Sequence, residues 1–223
     1  MIGRPVSYLI DGPVGALECV LEDPAQAPLG LAVVAHPHPL HGGTMDNKVV
    51  HTLCRAFVLG GYRVVRFNFR GVGRSAGCWN EGVGETEDLL AVLAHHRCDP
   101  VAKDRPLALA GFSFGGYVAA KAYERMTQAA DGGADLGAPS NLVLISPATS
   151  RFAVPAVPDG TLVVEGEEDD VVPLASILDW ARPQGLPVTV VPGTGHFFHG
   201  KLPLLRNLVL RHVRTWTSGL AHE

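Results

Sequence analysis

The sequence predicts an α/β protein built on a mostly parallel, doubly wound sheet with helices on both faces. Three observations carry that expectation. Apolar runs of four to six residues recur along the chain, the length and composition of strands buried on both faces. They alternate with stretches of helical periodicity. The loops after three of these runs hold a serine, a cluster of carboxylates and a histidine, and in an open sheet of this kind function collects where the strands end. With no internal repeat and no low-complexity linker, residues 1–223 read as a single domain.

Taken in order, runs at 6–10 and 16–21 flank Asp11-Gly12-Pro13, a turn signal, and predict an antiparallel pair. The run 31–35 is a buried strand that stops at His36-Pro37-His38-Pro39-Leu40-His41-Gly42-Gly43, read as irregular because of its prolines and glycines. Thr44 or Asp46 can cap the next helix, whose apolar members are Val49, Val50, Leu53, Cys54 and Phe57 and which Gly60-Gly61 ends. A strand at 62–69 leads into the glycine loop Arg70-Gly71-Val72-Gly73-Arg74-Ser75, then a helix at 85–94. The strand 107–110 precedes a helix at 117–129 and a Gly/Asp/Pro-rich loop at 131–140. Strands at 141–146, 161–165 and 188–191 alternate with helices at 172–181 and 202–216.

Composition narrows the function classes. The chain is 47% hydrophobic and 18% charged, with 26 glycines, as in an ordinary soluble globular protein with a sizeable core. A net charge of −4 leaves no basic face for nucleic acid. The apolar runs are far shorter than the roughly 20 residues of a bilayer span, so no membrane partner is expected. Arg4, Asp11, Pro13 and Glu18 interrupt the first 21 residues, which therefore lack the apolar core of a signal peptide. Cys19, Cys54, Cys78 and Cys98 show no Cys-x-x-Cys spacing and read as reduced thiols, with the cytoplasm as the expected location.

The most informative motif is Gly111-Phe112-Ser113-Phe114-Gly115, a Gly-x-Ser-x-Gly between a strand and a helix. A serine on so tight a bend takes a strained backbone, and a Cβ two residues away on either side would clash. The motif alone is weak evidence. Its weight comes from two later loops: Gly166-Glu167-Glu168-Asp169-Asp170 and Pro192-Gly193-Thr194-Gly195-His196 each follow a buried run. Serine, acid and histidine then lie at one sheet edge in the chain order of an α/β-hydrolase triad. Ser113 would attack a carbonyl carbon, a neutral histidine would take its proton, and a carboxylate would fix the tautomer and stabilise the imidazolium. Glu167, Glu168, Asp169 and Asp170 compete for the acid, and His199 competes with His196, which follows its strand by the shorter loop. An oxyanion hole needs backbone N–H groups, one from Phe114 after the nucleophile. Pro37 and Pro39 have none to give, so the second donor is His38 or Leu40.

Two rival readings are weaker. His36, His38 and His41 invite a metal, but no carboxylate or cysteine stands at useful spacing, so structural roles are expected and no metal. The loop 70–75 lacks both the Lys-Ser/Thr of a P-loop and the Gly-x-Gly-x-x-Gly of a dinucleotide fold, which leaves a plain connection.

The stretches Ala35-His36-Pro37-His38-Pro39-Leu40-His41-Gly42-Gly43-Thr44-Met45-Asp46-Asn47-Lys48, Asn68-Phe69-Arg70-Gly71-Val72-Gly73-Arg74-Ser75 and Gly111-Phe112-Ser113-Phe114-Gly115-Gly116 resemble a compact bacterial group of α/β-hydrolases related to the dienelactone-hydrolase-like serine hydrolases. The resemblance runs from about Ser7 to Trp216, and the His-Pro-His-Pro loop is its most specific signature. It implies the α/β-hydrolase fold, no cofactor, and the triad Ser113, Asp169, His196. Asp169 is the fourth residue of a Gly-x-x-Asp-x-Val-Val-Pro run that looks like the acid turn of the superfamily, with Asp170 the alternative. Ser146-Pro147-Ala148, where some relatives carry the acid instead, has no carboxylate. His196 matches the pattern Gly-x-x-His, and aligning His36-Pro37-His38 with the usual His-Gly-x points to His38 as the second oxyanion donor. Dienelactone hydrolase itself has a cysteine nucleophile, so Ser113 argues against that activity. His41 stands where relatives often have a bulkier apolar residue.

Many members carry a helical lid after the strand that corresponds to 141–146; here the short, proline-rich stretch 147–160 leaves no room for one. The expectation is an open site walled by Leu40, Met45, Trp79, Phe152 and Phe197, hydrolysing carboxylic esters of small or flexible molecules. Thioesterase or amidase chemistry would use the same triad, and a non-catalytic binding protein of this fold is the alternative from another class. Peptidases of this fold usually carry an extra N-terminal domain, and a haloalkane dehalogenase would need a carboxylate in place of Ser113.

Overall fold

The turn at Asp11-Gly12-Pro13 folds β1 (Val6–Gly12) back on β2 (Gly15–Glu22), with Ile10 opposite Leu17 in an antiparallel ladder. β2 then pairs antiparallel with β4 (Tyr62–Phe67), which joins the two-stranded ribbon to the rest of the sheet. The remaining strands, β3 (Gly30–Ala35), β5 (Leu107–Phe112), β6 (Asn141–Ile145), β7 (Leu162–Gly166) and β8 (Val188–Val191), are parallel to β4. The order across the sheet is β1-β2-β4-β3-β5-β6-β7-β8. The strand order reverses direction at β3, next to β5, and the carboxyl ends of β3 and β5 therefore meet at a topological switch point. The computed structural model describes residues 3–103, 105–128 and 139–219, without the side chains of 216–219.

Alternate residues of each strand feed two separate cores. Leu31, Val33, Leu107, Leu109, Leu142, Leu144 and Val163 pack against α2 (Val83–Arg97), α3 (Phe114–Gln128) and α4 (Leu174–Ala181) on one face. Ala32, Val34, Ala108, Ala110, Val143 and Val164 pack against α1 (Lys48–Leu59) and α5 (Leu202–Gly219) on the other. Continuous apolar runs, and not alternating ones, are what a sheet covered on both faces requires. The fold is the expected α/β-hydrolase architecture: a mostly parallel, doubly wound sheet with helices on both faces.

Several element ends differ from expectation, each for a local reason. α1 is capped by Asn47, whose Oδ1 accepts from the Val49 N–H at 2.8 Å, and not by Thr44 or Asp46. Those two build the preceding turn, the Asp46 N–H meeting Thr44 Oγ1. The His-Pro loop contains one 3₁₀ turn, Pro39–His41, because proline at a first helical position needs no N–H partner. α2 extends beyond 85–94 at both ends; the buried Glu85 carboxylate accepts from the Asn80 and Gly82 N–H groups and secures its start. α3 begins at Phe114, three residues before 117, since Gly115 and Gly116 serve close packing here and do not break the helix. α4 starts at Leu174, two residues late, because Asp169 holds the turn before it. His199 lies in the turn that precedes α5. The end of the 117–129 helix at Ala129, and most of the loop 131–140, lie outside the described residues.

The loop 70–75 is a structural connection. Arg70 grips the fully buried Asp88 of α2 through its guanidinium and its backbone N–H, and Ser75 Oγ donates to the Asn68 carbonyl at 2.6 Å. The stretch 147–160 contains no helix, so no lid covers the carboxyl edge of the sheet. Among the described residues, no helix is long and apolar enough to cross a membrane.

Candidate active site

At the end of β5 the chain must reverse into α3 within one residue. Ser113 makes that turn with φ +57°, a left-handed backbone that a non-glycine residue adopts only under constraint. The constraint is mutual packing. A Cβ at Gly111 would stand 2.0 Å from the Gly115 carbonyl oxygen, and one at Gly115 would stand 2.3 Å from the Ala35 carbonyl oxygen. The Ser113 N–H is anchored on the Ile145 carbonyl at 2.8 Å. Strand, turn and helix are thus locked together around Ser113.

Asp169 follows β7 and His196 follows β8, at the same edge of the sheet. Asp169 Oδ2 stands 2.6 Å from His196 Nδ1, and both side chains are buried. Asp169 Oδ1 accepts from the Val171 and Val172 N–H groups at 2.9 and 2.7 Å, which fixes the carboxylate plane. Burial alone pushes the Asp169 carboxyl up, but its hydrogen bonds with His196 and the Val172 N–H, together with the neighbouring Glu165 carboxyl, outweigh it and hold the group below the usual carboxylate range. It is therefore ionised at neutral pH and accepts the Nδ1 proton, which leaves the His196 Nε2 lone pair free for a proton from the cleft. Phe112 packs against the imidazole at 4.8 Å between centroids, and Phe197 at 5.1 Å. The competing groups go elsewhere: Glu167, Glu168, Asp170 and His199 are exposed, and Glu167 accepts from the Gly193 N–H. Ser113 and His196 line one cleft.

The loop after β3 forms the opposite wall. His36 Nδ1–H donates to the Pro37 carbonyl at 2.6 Å, while Nε2 accepts from the Phe69 N–H at 3.1 Å. Both ring nitrogens are used, so neither can bind a metal, and burial pushes the imidazole down to about 4. Across a trans peptide the N–H opposes the C=O. The Pro37 carbonyl points at the His36 ring, and the His38 N–H consequently points the other way, toward the cleft that Pro37 and His38 line. The Leu40 N–H is occupied by His38 Nδ1. Phe114, first residue of α3, has its N–H at the unpaired helix start, beside Ser113. Among the described residues, no group of three or more His, Cys, Asp or Glu is placed to hold a metal ion.

The cleft holds about 350 Å³ and opens to solvent. Of the wall residues expected from sequence, Phe152 and Phe197 line it. Leu40, Met45 and Trp79 do not. Leu40 faces solvent at 67% exposure; Met45 is buried, its N–H on Asn68 Oδ1. Trp79 is a platform for the His38 ring, 4.3 Å away, and packs on Phe114. Ala148, Arg151, Val171 and Val172 line the cleft without having been expected there. The two valines could have been found from sequence, since they belong to the acid turn that Asp169 organises. Ala148 and Arg151 reach the site only because the 147–160 stretch folds back, the Ala148 N–H bonding the Ser113 carbonyl.

The sequence profile of the serine aminopeptidase S33 family of hydrolases matches residues 35–159, more than half of the chain. The chain belongs to this family. Among solved structures, a lidless α/β serine hydrolase from Xanthomonas campestris is 36% identical, with a TM-score of 0.85 over 96% of this chain and 95% of its own. An α/β serine hydrolase homologue from Coxiella burnetii is 40% identical, with a TM-score of 0.78 over 92% of this chain and 96% of its own. An uncharacterized protein of Rickettsia prowazekii is 28% identical over 96% of this chain and 90% of its own length. This S33-family hydrolase is thus a compact, lidless α/β-hydrolase, the group that its His-Pro-His-Pro, Asn-Phe-Arg-Gly and Gly-Phe-Ser-Phe-Gly-Gly stretches resemble.

Proposed function

We propose that this hydrolase cleaves carboxylic esters of small or flexible molecules through an acyl-enzyme, within one domain that spans the chain. The observation that carries the reading is the 2.6 Å Asp169–His196 contact, in a cleft shared with the strained Ser113. Ser113 Oγ attacks the ester carbonyl as His196 Nε2 takes its proton. The imidazolium is stabilised by Asp169, and the Phe114 and His38 N–H groups receive the oxyanion. His196 returns the proton to the leaving alkoxide. Water then adds to the acyl carbonyl as it loses a proton to His196, and the bond to Ser113 Oγ breaks as that proton passes to Oγ, which releases the acid and restores the serine. The open, partly apolar cleft suits short acyl groups flanked by Phe152 and Phe197, and the four free thiols fit a reducing compartment such as the cytoplasm.

A panel of aryl esters from acetyl to decanoyl, with matched acyl-thioesters and anilides, tests this against native protein and Ser113→Ala. The expected outcome is turnover that falls steadily with chain length, fastest on esters, and at least about a thousandfold loss in the variant. A preference for decanoyl esters would remove the short-pocket reading, and faster thioester or anilide turnover would reassign the reaction.

A further inference from the structure

A second carboxyl group lies behind Asp169. Glu165, on β7, is fully buried. Its Oε1 accepts from Ser146 Oγ at 3.1 Å and from the Gly166 N–H at 3.0 Å. Ser146 sits at the end of β6 with φ +43°, a backbone conformation that costs a non-glycine residue free energy and that brings its hydroxyl onto Glu165. Glu165 Oε2, in contrast, finds no donor among the described residues, and the Asp169 carboxyl is within hydrogen-bonding reach of the Glu165 carboxyl. Among the described residues no arginine or lysine pairs with it; the groups facing it are Asp169 from the turn after β7 and Ser146 just after β6, with His196 beyond Asp169.

Two carboxylates in one dry space cannot both be ionised. Asp169 has the richer set of donors, in His196 and the Val171 and Val172 N–H groups, so it keeps the charge and Glu165 takes the proton. We propose that Glu165 is a positioning residue of the triad, a neutral carboxylic acid whose O–H is donated to Asp169. The proton turns the orphaned Oε2 into a donor and completes a chain Ser146–Glu165–Asp169–His196. Burial, together with the neighbouring Asp169, pushes the Glu165 carboxyl up to about 9, which keeps it protonated through the neutral range. The chain holds the carboxylate that orients His196, and it fails when Glu165 ionises. Nothing at the level of sequence marks the residue, since a glutamate before the Gly-x-x-Asp turn reads as one more acid in an acidic loop.

The proposal rests on the triad reading, and fluorophosphonate labelling separates the two because it needs an activated serine but no particular substrate. Labelling rate, and kcat and KM for a short aryl ester, are measured from pH 6 to 10 on native protein, Glu165→Gln and Glu165→Leu. The glutamine amide donates to Asp169 and accepts from Ser146, but it cannot ionise. It is expected to stay within about threefold of native at pH 7.5 and to lose the fall that native shows near pH 9. Leucine fills similar space without a donor, and its kcat is expected to drop about ten- to a hundredfold with KM little changed. If glutamine is as impaired as leucine, or if native and glutamine share one alkaline limb, Glu165 is only packing. Should the leucine variant fail to fold, the glutamine profile decides alone. An unlabelled native protein overturns the triad, and the role of Glu165 with it.

Discussion

Two histidines stand buried at the same edge of the sheet, and they do opposite work. His36 and His196 are each almost fully inaccessible, and each has Nδ1 2.6 Å from an oxygen. The oxygen of His36 is a backbone carbonyl, and its Nε2 is capped by the Phe69 N–H. The oxygen of His196 belongs to the ionised Asp169, and its Nε2 opens into a cleft that holds Ser113. Burial therefore does not by itself suit a histidine to proton transfer. A carboxylate behind the ring and an unclaimed nitrogen in front of it do, because only that pair can accept a proton and stabilise the cation that results. His36 is a fastener: it ties the loop after β3 to Phe69 and turns the Pro37–His38 peptide so that its N–H faces the cleft.

The contrast is broken most severely at the His196 ring. His196→Ala is expected to lower kcat on a short aryl ester by about 10⁵-fold, with far-ultraviolet circular dichroism unchanged. A near-native turnover would move the base elsewhere. Asp169→Asn keeps the shape but presents an amide to Nδ1, and the expected loss is about 10⁴-fold. Asp170→Asn and His199→Ala stay within twofold in the same assay. His36→Phe keeps an aromatic ring but strands the Pro37 carbonyl and the Phe69 N–H. It is expected to cost about 1–3 kcal/mol in urea unfolding, with a smaller loss of kcat as the His38 N–H loses its aim.

The smallest effect is on pH dependence of stability. Burial lowers the folded-state pKa of His36 to about 4, below the 6.5 of the unfolded chain, and does the same for His96, whose Nε2 meets the Tyr8 hydroxyl. The unfolded chain takes up those protons first. Stability from these groups is thus complete above pH 6.5 and is lost as pH falls from 6.5 toward 4. Thermal unfolding midpoints measured across that window should fall less steeply in His36→Phe than in native protein; equal slopes would show that the ring is not buried neutral.

Sequence showed the scaffold well because the scaffold follows from local rules. Continuous apolar runs marked the strands, and Gly111 and Gly115 marked the tight turn, since the absence of a Cβ can be read residue by residue. Element starts were less legible. Asn47, not Thr44 or Asp46, caps α1, and that depends on how the His-Pro loop folds. A likeness of turns favours Asp169 over Asp170, and the physical difference between the two, the Val171 and Val172 N–H donors and the His196 contact of Asp169, is visible only in three dimensions. The cleft walls were half missed for a related reason. Met45 and Trp79 are apolar and adjacent to the signature loop, but packing turned one into core and the other into a support for His38. Arg151 came to the cleft through a loop with no periodicity to read. Glu165 was missed because its significance lies in the pairing of two carboxyls, and pairing is not written in either residue.

The most direct test of the central claim is the site and rate of covalent labelling by a fluorophosphonate, followed by intact mass and peptide mapping. One equivalent on Ser113 is expected, much slower in His196→Ala and unchanged in His199→Ala. No labelling of native protein, or equal labelling of Ser113→Ala, would contradict a nucleophilic Ser113 activated by His196 and Asp169.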